Sequence, residues 1–250
     1  MIPKIIHQTW KNREIPAEWY SAVQACKTLH PDYDYILWTD ETMEAFVQKA
    51  YPWFYPTYQN YKHPIQRCDA FRYLVLATYG GIYLDMDIVC KQKLDPLLTY
   101  DLVLAKSSNI TASYTNSFFM CVPQHPFMRY CIDHLTTYKD SFSYFGKHMH
   151  IMNSTGPMFT TKMLSQYDTS QENTYVLSQP EFAGDCNTCN ENKCSGGIYF
   201  THVKGKSWHS WDSTIYDLLL CHYKWLLLAL LGGLYYKSKL RIKFKKLKKK

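Results

Sequence analysis

Behind Met1-Ile2-Pro3-Lys4 there is no long apolar run, so no cleavable signal peptide is expected. No internal repeat is visible, which excludes a solenoid or propeller reading. Acidic residues are missing from 237 to 250, KSKLRIKFKKLKKK, which carries nine of the chain's 28 lysines and arginines. Without that tail, 19 basic residues face 21 acidic ones, so the formal charge of +7 belongs to the tail and not to the body. No stacking or groove-reading module accompanies it, and nucleic-acid binding is excluded as an expectation. A fourth zinc ligand is missing from CNTCNENKC, where Cys186, Cys189 and Cys194 supply three thiols against the usual four. That polar segment reads as an exposed insertion whose thiols are open to a distant zinc ligand, to a disulfide, or to neither. The other six of the nine cysteines sit in apolar or helical surroundings, as in a reducing compartment.

What is present suits one sizeable core: 250 residues, 46% of them hydrophobic. Short strands are expected at Lys4 to Gln8 and Tyr35 to Trp38, and helices at Ala17 to Leu29 and from Thr39 or Asp40 towards Ala50. The stretch YPWFYPTYQNYKHP reads as an aromatic, proline-broken packed loop. A helix from Ile65 to Thr78 closes at Gly80-Gly81, where glycine accepts positive φ. Strands follow at Ile82 to Asp85, Leu102 to Ala105, Phe118 to Val122 and Gly197 to Phe200. Helix, glycine turn and apolar strand in that order predict an α/β fold with at least partly parallel strands.

The strand GGIYLDMDIV leaves its apolar part through Asp85 and Asp87. Residues i and i+2 of an extended chain point the same way, so both carboxylates can face the carboxyl edge of the sheet, where ligands sit in open α/β folds. Two close like charges call for a cation, and a hard divalent ion would take their oxygens while leaving positions for a diphosphate. A surface turn with two aspartates is the plainer alternative. Upstream, Asp69 and Arg72 share a helix face. They form either a structural ion pair or a sugar-binding pair in which Asp69 accepts from hydroxyls and Arg72 donates. Arg67 lies on another face and is read as structural.

IPKIIHQTW near the start and RCDAFRYLVLATYGGIYLDMD further on resemble the DxD-containing sugar-transferase family. That family includes fungal initiating alpha-1,6-mannosyltransferases and mannosyl inositolphosphoceramide synthases, and more distantly the clostridial glucosylating toxins. NSFFM at Asn116, HPF at His125, TGP at Thr155 and the later SWH extend the likeness over most of the body. The resemblance implies a GT-A-like, Rossmann-related, mixed and mostly parallel sheet flanked by helices. It also implies a nucleotide-sugar donor, a divalent ion (Mn2+ or Mg2+), and transfer with retention through attack on the leaving-group face. It places Asp85 by the ribose and sugar, Asp87 on the metal, Asp69 and Arg72 on the donor sugar, Trp10 against the base, and Asn116 as a sugar-binding amide. THVKGKSWH is similar to a histidine-glycine-tryptophan closing motif, which makes His202 the expected further metal ligand, with His209 as rival. Lys204 or Lys206 would neutralise the leaving diphosphate, Lys206 being the residue assigned to the donor site. GDP-mannose is the expected donor, and UDP-glucose or UDP-galactose the alternative.

LLLCHYKWLLLALLGGLYY, residues 218 to 236, is near spanning length but contains His222 and Lys224. With the basic tail behind it, it reads as a membrane-associating helix or as a buried terminal helix. The expected division is a catalytic domain over 1–212, a hydrophobic helix over 213–236 and a basic tail over 237–250. Retaining hexosyl transfer to a glycolipid or glycan at a Golgi or other secretory membrane is the functional expectation. The alternative is a catalytically silent, membrane-bound assembly subunit of the same fold.

Overall fold

The computed structural model describes every residue except 108–111, 171, 183, 185, 187–188, 190–194, 204, 206 and 248–250, without the side chains of 234, 238 and 240–247. The first three strands lie parallel. β1 (Ile5–Thr9) pairs with β2 (Asp34–Trp38) over five residues, from Ile5 opposite Asp34 to Thr9 opposite Trp38. Between them α1 (Ala17–Leu29) buries Trp19, Ala22, Val23 and Cys26, the i, i+3, i+4, i+7 stripe of a helix with one apolar face. α2 (Asp40–Ala50) starts on Thr39, whose hydroxyl accepts from Thr42 N–H while the Thr42 hydroxyl accepts from Thr39 N–H. The aromatic segment expected to be a loop contains a short helix, α3 (Tyr55–Gln59), because Phe54, Tyr58 and Tyr61 all find burial on one side of it.

α4 (Pro64–Tyr79) leads into β3 (Gly81–Leu84) through a turn that needs glycine. Gly80 has φ +62° and Gly81 φ +91°, and a Cβ on Gly81 would lie 2.6 Å from the Ile5 carbonyl oxygen. β3 then pairs with β1 in parallel, Ile6 opposite Ile82 and His7 opposite Tyr83. His7 locks this corner. Its Nδ1 accepts from Trp38 Nε1–H at 3.1 Å, so Nε2 carries the proton and donates to the Gly80 carbonyl at 3.0 Å.

The remaining strands are β4 (Ile88–Cys90), β5 (Leu102–Ala105), β6 (Phe118–Cys121), β7 (Thr174–Leu177) and β8 (Phe200–His202). Six strands form one sheet in the order β2-β1-β3-β6-β5-β7. β6 runs against both neighbours and the other five run together, a mixed and mostly parallel sheet as expected. β4 and β8 form a separate antiparallel ribbon. Alternation along β3, β5 and β6 feeds two cores on opposite faces. Tyr83, Leu102, Leu104, Phe119 and Cys121 pack towards α4, α5 (Pro126–Tyr138) and α7 (Pro157–Gln166); Ile82, Leu84, Val103, Ala105, Phe118 and Met120 pack towards β4, β8 and Cys26 of α1.

Strand ends differ from expectation by one residue at β1, β2, β3 and β6 and by more at β8, and the differences at β3 and β8 bear on the site. β3 stops at Leu84, and Asp85 to Ile88 is a turn closed by Ile88 N–H on the Asp85 carbonyl at 3.2 Å. The strand expected at Gly197 to Phe200 starts only at Phe200, where pairing with Cys90 begins. Gly197 to Tyr199 instead turns back along α8 (Gln179–Phe182), Ile198 and Tyr199 donating to the Pro180 and Glu181 carbonyls. His202 is therefore inside a strand, not after one.

α6 (Lys147–Ser154) and α9 (Trp211–Leu247) meet at the carboxyl end. Asp212 accepts from His148 N–H at 2.8 Å, the His148 ring bonds buried Ser213 at 3.1 Å, and Cys221 is disulfide-bonded to Cys189. Cys186 is disulfide-bonded too, which overturns the zinc reading of that insertion; Cys194 lies outside the described residues. The reducing-compartment reading fails for Cys221. Beyond this foot the helix is bare: Trp225 is 72% exposed and Leu226 to Leu228 about half exposed. Among the described residues, one helical stretch, Trp211–Lys237, is long and apolar enough to cross a membrane.

Candidate active site

Parallel strands put the ends of β1, β2 and β3 at one edge, and antiparallel β6 brings its start to the same edge. Side by side there stand Asp40 after β2, Thr9 at the end of β1 and Trp10 just after it, Asp85 after β3 and Asn116 before β6. α4 runs back along the sheet into β3, so its first turns, carrying Asp69 and Arg72, reach this edge as well. These residues line one cavity of about 400 Å³. Asp87, Met86, Trp19, Lys11, His63, Lys147, Gly205, Ser207 and Trp208 complete much of its wall.

Arg72 is the centre of the polar floor and is buried. It donates through Nη2 to Asp69 at 2.5 Å and through Nη1 to the Asn116 carbonyl, with Asp85 Oδ1 3.4 Å from Nη1. Its guanidinium lies over the Tyr83 ring at 4.6 Å. Asn116 Nδ2 donates to Asp69 Oδ1 at 3.1 Å, and the Thr155 hydroxyl to Asp69 Oδ2 at 3.0 Å. Asp69 and Arg72 thus form a buried ion pair and line the cavity at once. Both Asp69 oxygens accept hydrogen bonds, which leaves this carboxylate poorly placed to act as a nucleophile.

Asp85 and Asp87 differ in company. Burial pushes the carboxyl of Asp85 up even against the Arg72 guanidinium. Burial first and Asp85 second push Asp87 up to about 8. Among the described residues no lysine, arginine or histidine pairs with Asp87. The loop after β8 closes on it: Val203 N–H donates to the Asp87 carbonyl at 2.8 Å, and a Cβ on Gly205 would meet Asp87 Oδ2 at 2.0 Å. Two oxygen donors with a charge deficit fit a hard divalent cation.

The two aspartates reach one cavity from a turn, not from continued extended chain. Trp10 lines that cavity and packs on Trp19 in a T-shaped contact, ring centroids 4.8 Å apart. His202 and His209 are not brought to the aspartates. They line a neighbouring cavity of about 220 Å³ that shares Asn116, Pro157 and Trp208 with the first. His202 packs on Phe182, and burial pulls its pKa down to about 4, so the ring is neutral. His209 stands 3.9 Å from Asp217 at the foot of α9. Among the described residues, no third histidine, cysteine or carboxylate joins Asp85 and Asp87 within 4.8 Å. Lys206 lies outside the described residues, as does Lys204. Sequence reasoning assigned no role to Thr155, Trp208, Lys147 or Trp19; the first two stood within quoted motifs, whereas nothing local marks the others.

Residues 16–104 match the family described as the glycosyltransferase sugar-binding region containing the DXD motif. The chain carries that region. It is 40% identical over 226 residues to a mannosyl phosphorylinositol ceramide synthase of Saccharomyces cerevisiae, covering 89% of this chain and 57% of that protein. It is 41% identical over 217 residues to an inositol phosphoceramide mannosyltransferase of Schizosaccharomyces pombe, covering 86% and 60%. The chain therefore spans somewhat over half the length of these relatives. In fold it is similar to the UDP-bound glycosyltransferase domain of the YGT toxin, with TM-score 0.53, 8% identity, and 70% of this chain and 79% of that one covered. The architecture is GT-A-like, as the sequence led us to expect.

Proposed function

We propose that the chain is a divalent-cation-dependent glycosyltransferase that moves mannose from GDP-mannose to the headgroup of an inositol-phosphate-bearing sphingolipid at a secretory-pathway membrane. The observation that carries this is the convergence of Trp10, Asp69, Arg72, Asp85, Asp87 and Asn116 on one cavity at the carboxyl edge of the sheet. The likeness to two yeast proteins so named supports the acceptor class.

Asp87, with Asp85, would hold Mn2+ or Mg2+, which when bound supplies Lewis-acid stabilisation of the departing diphosphate. Trp10, steadied by Trp19, offers a face to the base. Arg72, pinned by Asp69 and Asn116, presents fixed positive charge to the donor at no reorganisation cost. Because the oxygens of Asp69 are engaged, attack from the leaving-group face is preferred to a covalent intermediate on that residue. His209, which follows the loop after β8, would join the metal on a movement of that loop, whereas His202 would need β8 itself to shift.

Lys147, at the start of α6 beside the foot of α9, and His63 also line the cavity. An acceptor phosphate entering from the membrane side meets the Lys147 cation first, beside a His63 ring that burial holds neutral. The exposed apolar stretch of α9 and the basic residues after it suit insertion into, or adherence to, an anionic bilayer. The Cys189–Cys221 disulfide suits an oxidising lumen around the body. We divide the chain into a catalytic part over 1–212, a hydrophobic helix over 213–236 and a basic tail over 237–250, with α9 beginning within the first part.

The test is release of free nucleotide diphosphate from a panel of guanosine and uridine sugars with Mn2+. Turnover of GDP-mannose, lost in Asp87→Ala, is expected. Turnover confined to uridine donors would overturn the mannose assignment, and absence of both donor binding and cation binding would leave the silent-subunit reading.

A further inference from the structure

Away from the polar floor, Cys26 on α1 faces Cys90 on β4. Both are buried, at 0% and 5% exposure, and Cys90 Sγ donates to Cys26 Sγ at 2.7 Å. His30 stands one turn after Cys26, and the three side chains gather closely enough to suggest a metal site. The ring argues otherwise. Its Nδ1 bonds the Cys26 carbonyl at 2.9 Å, and its Nε2 accepts from Leu94 N–H at 3.1 Å, so neither nitrogen has a lone pair to offer. Two thiolates alone do not complete a structural zinc site. The body already carries a Cys189–Cys221 disulfide, so its compartment permits oxidation.

We propose that Cys26 and Cys90 are joined by a disulfide that braces the cavity. The bond forms by thiol–disulfide exchange during folding, while the pair is still reachable. The Cys26 thiolate attacks an exogenous disulfide such as glutathione disulfide and expels one thiolate. Cys90, losing its proton, then displaces the second. Two protein thiols are oxidised, one exogenous disulfide is reduced to two thiols, and both protons pass to those products.

The position gives the bond a consequence. Cys90 lies three residues after Asp87, and α1 carries Trp19, the residue that holds Trp10. The bridge ties the base-facing wall to the aspartate turn. This functional part rests on the proposed donor reading; the chemical part does not.

Full-length protein from a eukaryotic secretory host is alkylated, digested without reduction, and mapped by mass spectrometry. A linked Cys26–Cys90 peptide pair is expected, and of the five cysteines left unbridged in the structure, Cys68, Cys121 and Cys131 alone should react with a thiol reagent in denaturant. Alkylated Cys26 or Cys90 in the folded product overturns the disulfide. So does stoichiometric zinc that disappears in Cys26→Ala. The double variant Cys26→Ala/Cys90→Ala should melt about 10 °C lower, as expected for opening a loop of this size, with KM for the donor raised several-fold and kcat little changed. A linked pair with unchanged KM in the double variant would overturn the brace while leaving the bond. Absence of donor turnover in the unaltered chain would count against the function alone.

Discussion

Arg72 shows how one side chain serves both stability and binding. It compensates Asp69 inside the protein, so removing it leaves a buried carboxylate without its cation. Arg72→Leu is expected to lower unfolding stability by about 3–5 kcal/mol, and pairing it with Asp69→Asn should recover part of that loss, both read from urea midpoints. No recovery would mean that Asp69 is held by Thr155 and Asn116 without help from charge. Asp87 behaves in the opposite way, because it sits in a turn beside a like charge and supports little of the core. Asp87→Asn should melt no lower than the parent protein yet lose the thermal shift produced by Mn2+ and nearly all donor turnover. A retained manganese shift would remove Asp87 from the metal site.

At the scale of the elements, the α4–β3 corner decides whether Asp69 and Asp85 meet. Gly81→Ala meets both a positive φ and the Ile5 carbonyl, and is expected to cost roughly 2 kcal/mol or more in unfolding experiments. A neutral outcome would show that the corner can relax. His7 fastens the same corner from β1, and burial pulls its pKa down to about 4. Between 6.5, its ordinary value, and 4, the unfolded chain binds a proton that the folded chain does not, so this contribution to stability is full above 6.5 and falls as pH falls through that window. The loss amounts to about 3 kcal/mol at its limit. His7→Gln, which keeps a donor for Gly80, should flatten the acid limb of the urea midpoint plotted against pH; an unchanged limb would place the titration elsewhere.

Taken whole, the molecule is a two-faced sheet flanked by helices, with a long helix clamped at its foot to α6 and to Cys189. Truncation after Asp212 would remove buried Ser213 and the bridged Cys221, and so is expected to lower stability along with donor hydrolysis. Truncation after His222 keeps that foot, and hydrolysis of free donor should survive while transfer to acceptor lipid in anionic vesicles falls sharply. The contrast between the two truncations, assayed together, separates the helix as clamp from the helix as anchor. Equal transfer by the full chain and the 1–222 chain would show that the exposed apolar stretch does not direct the acceptor.

Local pattern was enough for much of this. The helix that ends at Gly80-Gly81, the apolar strand after it and the aspartates beyond that strand follow from short-range rules: apolar periodicity, glycine at positive φ and carboxylates where apolar residues stop. The Asp69–Arg72 pair also follows from spacing on a single helix. What no local rule could supply was company. That Asp69 spends its oxygens on Asn116 and Thr155, that Lys147 and Trp19 share a wall with Asp85, and that His202 faces a different cavity depend on how β6, α6 and β8 return to the sheet, contacts between residues tens of positions apart. The same holds for Cys221, which looked like one more apolar-helix cysteine until the fold set it beside Cys189. Sequence determined the elements and the chemistry available at their ends; tertiary packing decided which of those ends face one another, because side-chain reach is short and only the closed chain brings distant segments within it.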